Sequence, residues 1–182
     1  GVTWTASATT ATSGSFQGIA CSASGQYQIT AITSGAIYYS SNYGQTWVAS
    51  NISNAGTVQG ASISASGQYA TVITTLSGIW YSSNYGVTFV NTAAGAVSNN
   101  MRGNATSASG QYQLAAGYTG GMYYSTNYGI SWIQGSSTTN WFSAAMSANG
   151  QYCLGCIPSG AVYMSITREP PKILANQNTT TS

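Results

Sequence analysis

SASGQY stands at Ser22–Tyr27, returns at Ser64–Tyr69 and Ser107–Tyr112, and appears a fourth time as SANGQY at Ser147–Tyr152. The glycines of these copies, Gly25, Gly67, Gly110 and Gly150, lie 42, 43 and 40 residues apart. A second phrase follows each one at nearly constant offset: SGAIYYSSNYG (Ser34–Gly44), LSGIWYSSNYG (Leu76–Gly86), TGGMYYSTNYG (Thr119–Gly129) and the shorter SGAVYMS (Ser159–Ser165). The chain is therefore four cycles of one unit. A period of about 40 to 45 residues with several short strands per cycle is the signature of propeller blades.

Each unit reads as four strands. The first precedes the serine-glycine turn (GIACS, GASIS, GNATS, SAAMS) and the second follows it (QYQITAI, QYATVIT, QYQLAAG, QYCLGCI). The third is AIYYS, GIWYS, GMYYS or AVYMS, and the fourth is QTWVAS, VTFVNT or ISWIQG. All are short, β-branched or aromatic, and bounded by Gly, Ser and Asn. The turn glycine supplies the left-handed conformation a tight hairpin needs, and Asn149 beside Gly150 suits the same turn. No window keeps a 3.6-residue apolar period, so no helix is expected.

The fourth cycle lacks its last strand, because AVYMS runs into TREPPK, whose prolines resist sheet pairing. The chain opens on GVTWTAS, which reads as that missing strand. The fold expected is an all-β propeller of four four-stranded blades over residues 1–166, closed by Val2–Ala6 pairing beside Ala161–Ser165, with 167–182 an extended tail. Closure would remove an exposed sheet edge. The alternative is a segment cut from a longer chain with more blades upstream.

The phrase S-x-N-x-G-x-[TS]-[WF] resembles the Asp-box, or BNR repeat, of sialidases, sortilin-like receptors and photosystem II assembly factors. It is carried by Ser40, Asn42, Gly44, Thr46 and Trp47, by Ser82, Asn84, Gly86, Thr88 and Phe89, and by Ser125, Asn127, Gly129, Ser131 and Trp132. A fourth box is split between Ser165 and the N-terminal Gly1, Thr3 and Trp4. The resemblance implies a propeller in which the box is a structural turn away from the binding face. Asn replaces the family's Asp, which keeps an acceptor for the turn and removes the charge.

Composition narrows the function. Of 182 residues only Arg102, Arg168, Glu169 and Lys172 are formally charged, and there is neither Asp nor His. Sialidase chemistry, as the family practises it, needs three arginines, a Tyr–Glu pair and an acid, and glycoside hydrolysis in general needs two carboxylates. Serine nucleophiles have no His to activate them. A non-catalytic protein without cofactor is expected. Clustered cations for nucleic acid are missing, and no apolar run reaches the roughly 20 residues of a membrane span. Cys153 and Cys156 form a C-x-x-C without a second pair or a His, which leaves a zinc site incomplete. With Cys21 the count is odd, against a disulfide framework.

In propellers the binding face carries the blade-to-blade loops and the turns between second and third strands. The loops are Ala8–Phe16, Ser50–Val58, Thr92–Gly103 and Gly135–Phe142. Trp141, Tyr118, Arg102, Asn100 and Asn140 are the expected ligand contacts, offering stacking faces and hydrogen bonds to an uncharged glycan. The competing reading makes Trp141 a filler between blades. Asn51, Asn104 and Asn178 open N-x-[ST] triplets compatible with an extracellular setting. The function expected is a surface module, extracellular or on a virion, that binds glycan or a surface protein. The alternative is an architectural part packing against neighbouring chains of a larger assembly.

Overall fold

The computed structural model describes residues 3–7, 14–92, 100–135, 140–158 and 160–166. The first sheet contains β1 (Phe16–Cys21), β2 (Gln28–Ile32), β3 (Ile37–Ser40) and β4 (Val48–Ala49). The second contains β5 (Val58–Ile63), β6 (Ala70–Thr74), β7 (Ile79–Ser82) and β8 (Val90–Asn91). The third contains β9 (Met101–Thr106), β10 (Gln113–Gly117), β11 (Gly121–Ser125) and β12 (Ile133–Gln134), and the fourth β13 (Ser143–Met146), β14 (Tyr152–Cys156) and β15 (Val162–Ile166). Every sheet is an antiparallel meander in chain order. The chain is thus an all-β, propeller-like array of four sheets. The outer strands are shorter than the sequence suggests, two residues each; before β8, the backbone N–H and carbonyl of Phe89 are taken by the Asn51 side chain instead of a ladder partner.

The first strands of successive units lie next to one another, β1 by β5, β5 by β9 and β9 by β13. Between sheets one and two a core forms from Ile29, Ala31, Ile37, Val58, Val72 and Phe89. Between sheets two and three it forms from Ile73, Ile79, Met101, Ala115 and Tyr123.

One contact repeats at each junction, and the glycine of SxxGQY makes it possible. A Cβ placed on Gly67 would come 2.5 Å from the Cβ of Tyr27 on the preceding sheet; on Gly110 it would come 2.6 Å from the ring of Tyr69, and on Gly150 2.5 Å from the ring of Tyr112. Those glycines also hold φ values of 83°, 83° and 75°, a region L side chains avoid. The tyrosines stack further, Tyr27 with Tyr85 at 4.4 Å and Tyr69 with Tyr128 at 4.3 Å between ring centroids. A backbone bond accompanies each lock: Ala23 N–H donates to Ala65 O (3.0 Å), Ala65 N–H to Ala108 O (2.9 Å) and Ala108 N–H to Ala148 O (2.8 Å).

The expected pairing of the N-terminal segment with β15 is not formed. The fourth sheet has three strands, and residues 3–7 carry no ladder. Ser7 lies against the first sheet instead, its hydroxyl donating to Gly44 O and accepting from Trp47 Nε1 (3.1 Å). The reason is visible one blade on, where Asn51, just beyond β4, grips Phe89 of the second sheet through Phe89 N–H to Asn51 Oδ1 (2.7 Å) and Asn51 Nδ2 to Phe89 O (3.1 Å). Ser7 occupies on the first sheet the place that the end of a preceding blade's outer strand occupies on the next. That contact requires no β15.

Gly110→Ala and Gly56→Ala separate steric locking from backbone strain. A Cβ on Gly56, at φ 82°, meets its nearest neighbour at an ordinary 3.4 Å, so that variant pays only the left-handed term. Gly110→Ala should cost about 1–3 kcal/mol more, read by denaturant unfolding, because the ring of Tyr69 must move as well.

Candidate functional site

Three of the five expected contact residues meet at the loop-bearing end of the third sheet. Asn100 precedes β9 at φ 74°, and its backbone ties two sheets together: its N–H donates to Thr75 O (2.6 Å) and its carbonyl accepts from Tyr118 N–H (3.0 Å). Arg102, one residue into β9, reaches back to the second sheet, where Nη1 donates to Gln59 Oε1 (3.2 Å). Its guanidinium lies 5.4 Å from the centre of the Tyr118 ring, within cation–π range. Its Nε is buried and has no hydrogen-bond partner. Gln59 holds in its repeat the position that Arg102 holds in the next, a correspondence the register of the repeats could have revealed.

Trp141 is placed differently from the expectation of a stacking platform. It is 7 % exposed and stands where Val58 and Met101 stand in earlier repeats, both fully buried. Gly155 makes room for it, since a Cβ there would approach Trp141 Cζ3 to 2.7 Å and Met122 Cε to 2.6 Å. The ring of Tyr163 meets it edge-on at 5.1 Å. Trp141 is therefore the filler of its own blade junction. Its indole N–H is buried without an acceptor. Asn140, beside it, is exposed.

The S-x-N-x-G turns lie at the opposite ends of the strands and are consumed by their own geometry. Ser40 Oγ donates to Asn42 Oδ1 (2.9 Å) and accepts from Gly44 N–H (3.0 Å), while Asn42 Oδ1 accepts from Thr46 N–H (3.0 Å). Asn42 Nδ2 donates to Thr46 Oγ1 (2.9 Å), which a carboxylate could not do. Ser82, Asn84, Gly86 and Thr88 repeat the pattern, as do Ser125, Asn127, Gly129 and Ser131. Trp47 and Phe89 are buried, and Trp132 donates to Gly129 O (3.0 Å). Thr3 and Trp4 make no such turn, and Gly1 lies outside the described residues.

The triplets read as glycan acceptors do not present free amides. Asn104 sits within β9, its Nδ2 donating to Ser62 Oγ (2.9 Å) and Thr71 O (3.0 Å), so both protons are used across the sheet junction. Asn51 is committed to Phe89 as described, and Asn178 lies outside the described residues. Cys21, Cys153 and Cys156 are free thiols, and no group of three His, Cys, Asp or Glu side chains is assembled among the described residues. No helix among them is long and apolar enough to cross a membrane.

No family model matches the chain, and no curated protein matches it in sequence. Solved structures do resemble it. The GH74 enzyme of Niastella koreensis superposes with a TM-score of 0.66 at 21 % identity over 82 % of this chain and 22 % of that one. An ancestral GH74 enzyme gives 0.62 at 19 % identity, over 84 % and 23 %. The computationally designed Ika4 protein gives 0.71 at 6 % identity, over 91 % of this chain and 99 % of its own. At these identities the likeness is one of fold. The chain spans about a fifth of the length of the GH74 enzymes it matches.

Two measurements probe these environments. Trp141→Phe deletes an unpartnered buried N–H and should be near neutral to stability, whereas Trp141→Ala should cost about 3–5 kcal/mol by leaving a cavity. Burial pushes the Cys153 thiol above its ordinary value of 9.0, while Cys21 is exposed, so a thiol reagent at neutral pH should modify Cys21 well ahead of Cys153. The sign for stability follows from the same shift. The Cys153 contribution is intact below the unfolded thiol's pKa and is lost as pH climbs toward the raised folded value.

Proposed function

We propose that this chain is a non-catalytic, Asp-box-like propeller module of an external surface, extracellular or on a virion, that binds an uncharged saccharide at the loop-bearing end of its third and fourth sheets. The observation that carries the reading is the half-buried Arg102 guanidinium at the start of β9, held by Gln59 Oε1 and lying 5.4 Å from the centre of the Tyr118 ring with no carboxylate against it among the described residues. Such a donor beside an aromatic face suits a ligand rich in neutral oxygens. Tyr118, Asn100 and Asn140 complete a neutral lining, and the likeness to GH74 enzymes is compatible with a carbohydrate partner. Hydrolysis is not part of the proposal, since Glu169 is the chain's one side-chain carboxylate and the reaction needs two.

A second reading, an architectural part that packs against neighbouring chains, is favoured by a different observation. The first and fourth sheets leave Ile19, Leu154, Val162 and Met164 exposed on their outward surfaces.

A glycan array followed by NMR titration tests the saccharide reading. The Trp141 indole N–H resonance should move on addition of a neutral saccharide, and Tyr118→Ala or Arg102→Gln should weaken binding about tenfold, roughly 1.4 kcal/mol, without changing the unfolding midpoint. An array without neutral ligands, or a ligand that leaves the indole resonance unmoved, would overturn it.

A further inference from the structure

A tyrosine on a turn glycine and an alanine N–H to alanine carbonyl bond recur at all three internal junctions, a tyrosine stack and a second tyrosine-on-glycine contact join them at the first two, and the end sheets carry halves of this set. On the fourth sheet, Tyr152 is the counterpart of Tyr27, Tyr69 and Tyr112, yet among the described residues no glycine packs against it and it is 48 % exposed. Leu154 is the counterpart of Ile29, Thr71 and Leu114, which are 0 %, 1 % and 4 % exposed, whereas Leu154 is 43 % exposed. Met164 is the counterpart of Tyr39 and Tyr81, whose Cβ atoms press on Gly86 and Gly129 of the following sheet. Ala148 N–H has no following carbonyl among the described residues.

The first sheet shows the complementary vacancies. A Cβ on Gly25 would meet only Tyr43, at 4.0 Å, where the equivalent glycines are pressed by a tyrosine. The three atoms nearest a Cβ on Gly44 all belong to Gln28 of its own sheet. Tyr43, counterpart of the stacked Tyr85 and Tyr128, is exposed, and among the described residues no ring stacks on it and no N–H from a preceding sheet donates to Ala23 O. Ser7 bonds to this sheet, and residues 3–6 before it are exposed, Trp4 at 92 %.

From this we infer that the fourth sheet of one copy docks on the first sheet of a second copy, and that two copies close head-to-tail into a ring of eight sheets. Tyr152 of one copy locks onto Gly25 and stacks on Tyr43 of the other, Met164 presses on Gly44, and Ala148 N–H donates to Ala23 O. Thr5 and Ala6 then fall beside Met164 and Tyr163, in the register that Val48 and Ala49 keep with Tyr39 and Tyr38. Within one chain the packing of first strands runs from β1 through β5 and β9 to β13, and residues 3–7 form no ladder with β15. Two copies give eight sheets, within the roughly four to eight of propellers, and three would exceed it. A heterologous contact closes into a ring when its rotation permits. Ser143 stands where Gly18, Gly60 and Gly103 stand in earlier repeats, so this junction is wider than the internal ones and the copies can separate.

The inference supplies a partner for the architectural reading and rests on it. Native mass spectrometry and sedimentation of the full chain test it, with Leu154→Glu and Ile19→Glu as variants at exposed positions that leave the single-chain fold intact by circular dichroism. The expected species is a dimer of the 18.7 kDa chain, and each variant alone should be monomeric. Mixing the two variants should restore a dimer through one junction, since Ile19→Glu retains a sound fourth sheet and Leu154→Glu a sound first sheet. A monomeric wild-type chain, a dimer that neither variant disrupts, or variants that fail to complement each other would overturn the inference. If the wild-type chain is monomeric but assembles with a different protein, the architectural reading survives without it.

Discussion

A tyrosine on one sheet seated against a glycine on the next is the contact on which this structure depends. The glycine is needed twice over, because its backbone is left-handed and because the neighbouring tyrosine fills the space a Cβ would take. The same turn sends an alanine N–H to the carbonyl of the following turn, so packing and hydrogen bonding fix the step from sheet to sheet together. Repeating the step carries four meanders side by side around a common line of first strands. It works without charge, which is why a chain with four ionisable charges can hold a defined arrangement.

Function is shaped by the same economy. Arg102 is the one charged side chain among the described residues, and it is placed by Gln59 and by the face of Tyr118 instead of by a carboxylate. Its unpartnered Nε and the unpartnered indole of Trp141 lie at the starts of neighbouring first strands. The opposite ends of the strands are rigid for a different reason, since the Ser and Asn side chains of the S-x-N-x-G turns are spent on the backbone of those turns.

Much of this was legible in the sequence because the repeat is nearly literal. The SxxGQY turn, the order of strands and the inward-facing aromatic of each box follow from period, turn chemistry and alternation. Asn100, Arg102 and Tyr118 were legible as neighbours because the loops before first strands and the turns after second strands share one end of a meander. Trp141 was open between two readings, since an aromatic at the start of a strand can face a ligand or a junction. What decides it is Gly155, whose missing side chain vacates the junction. The triplets at Asn51 and Asn104 misled because a three-residue pattern carries nothing of where the amide hydrogen bonds. Ring closure was the largest departure. Matching a missing strand to a surplus one says that they are complementary, but curvature is set by three-dimensional contacts at the junctions and is not encoded in the period.

Amide hydrogen exchange at the turn alanines bears most directly on the lock between sheets. The N–H groups of Ala23, Ala65 and Ala108 lie in surface turns and would exchange rapidly if each sheet stood by itself. Because each donates to the following sheet, the account gives them protection comparable to the ladder amides of β6 and β10. Exchange at the rate of exposed turn amides would contradict the lock and the architecture built on it.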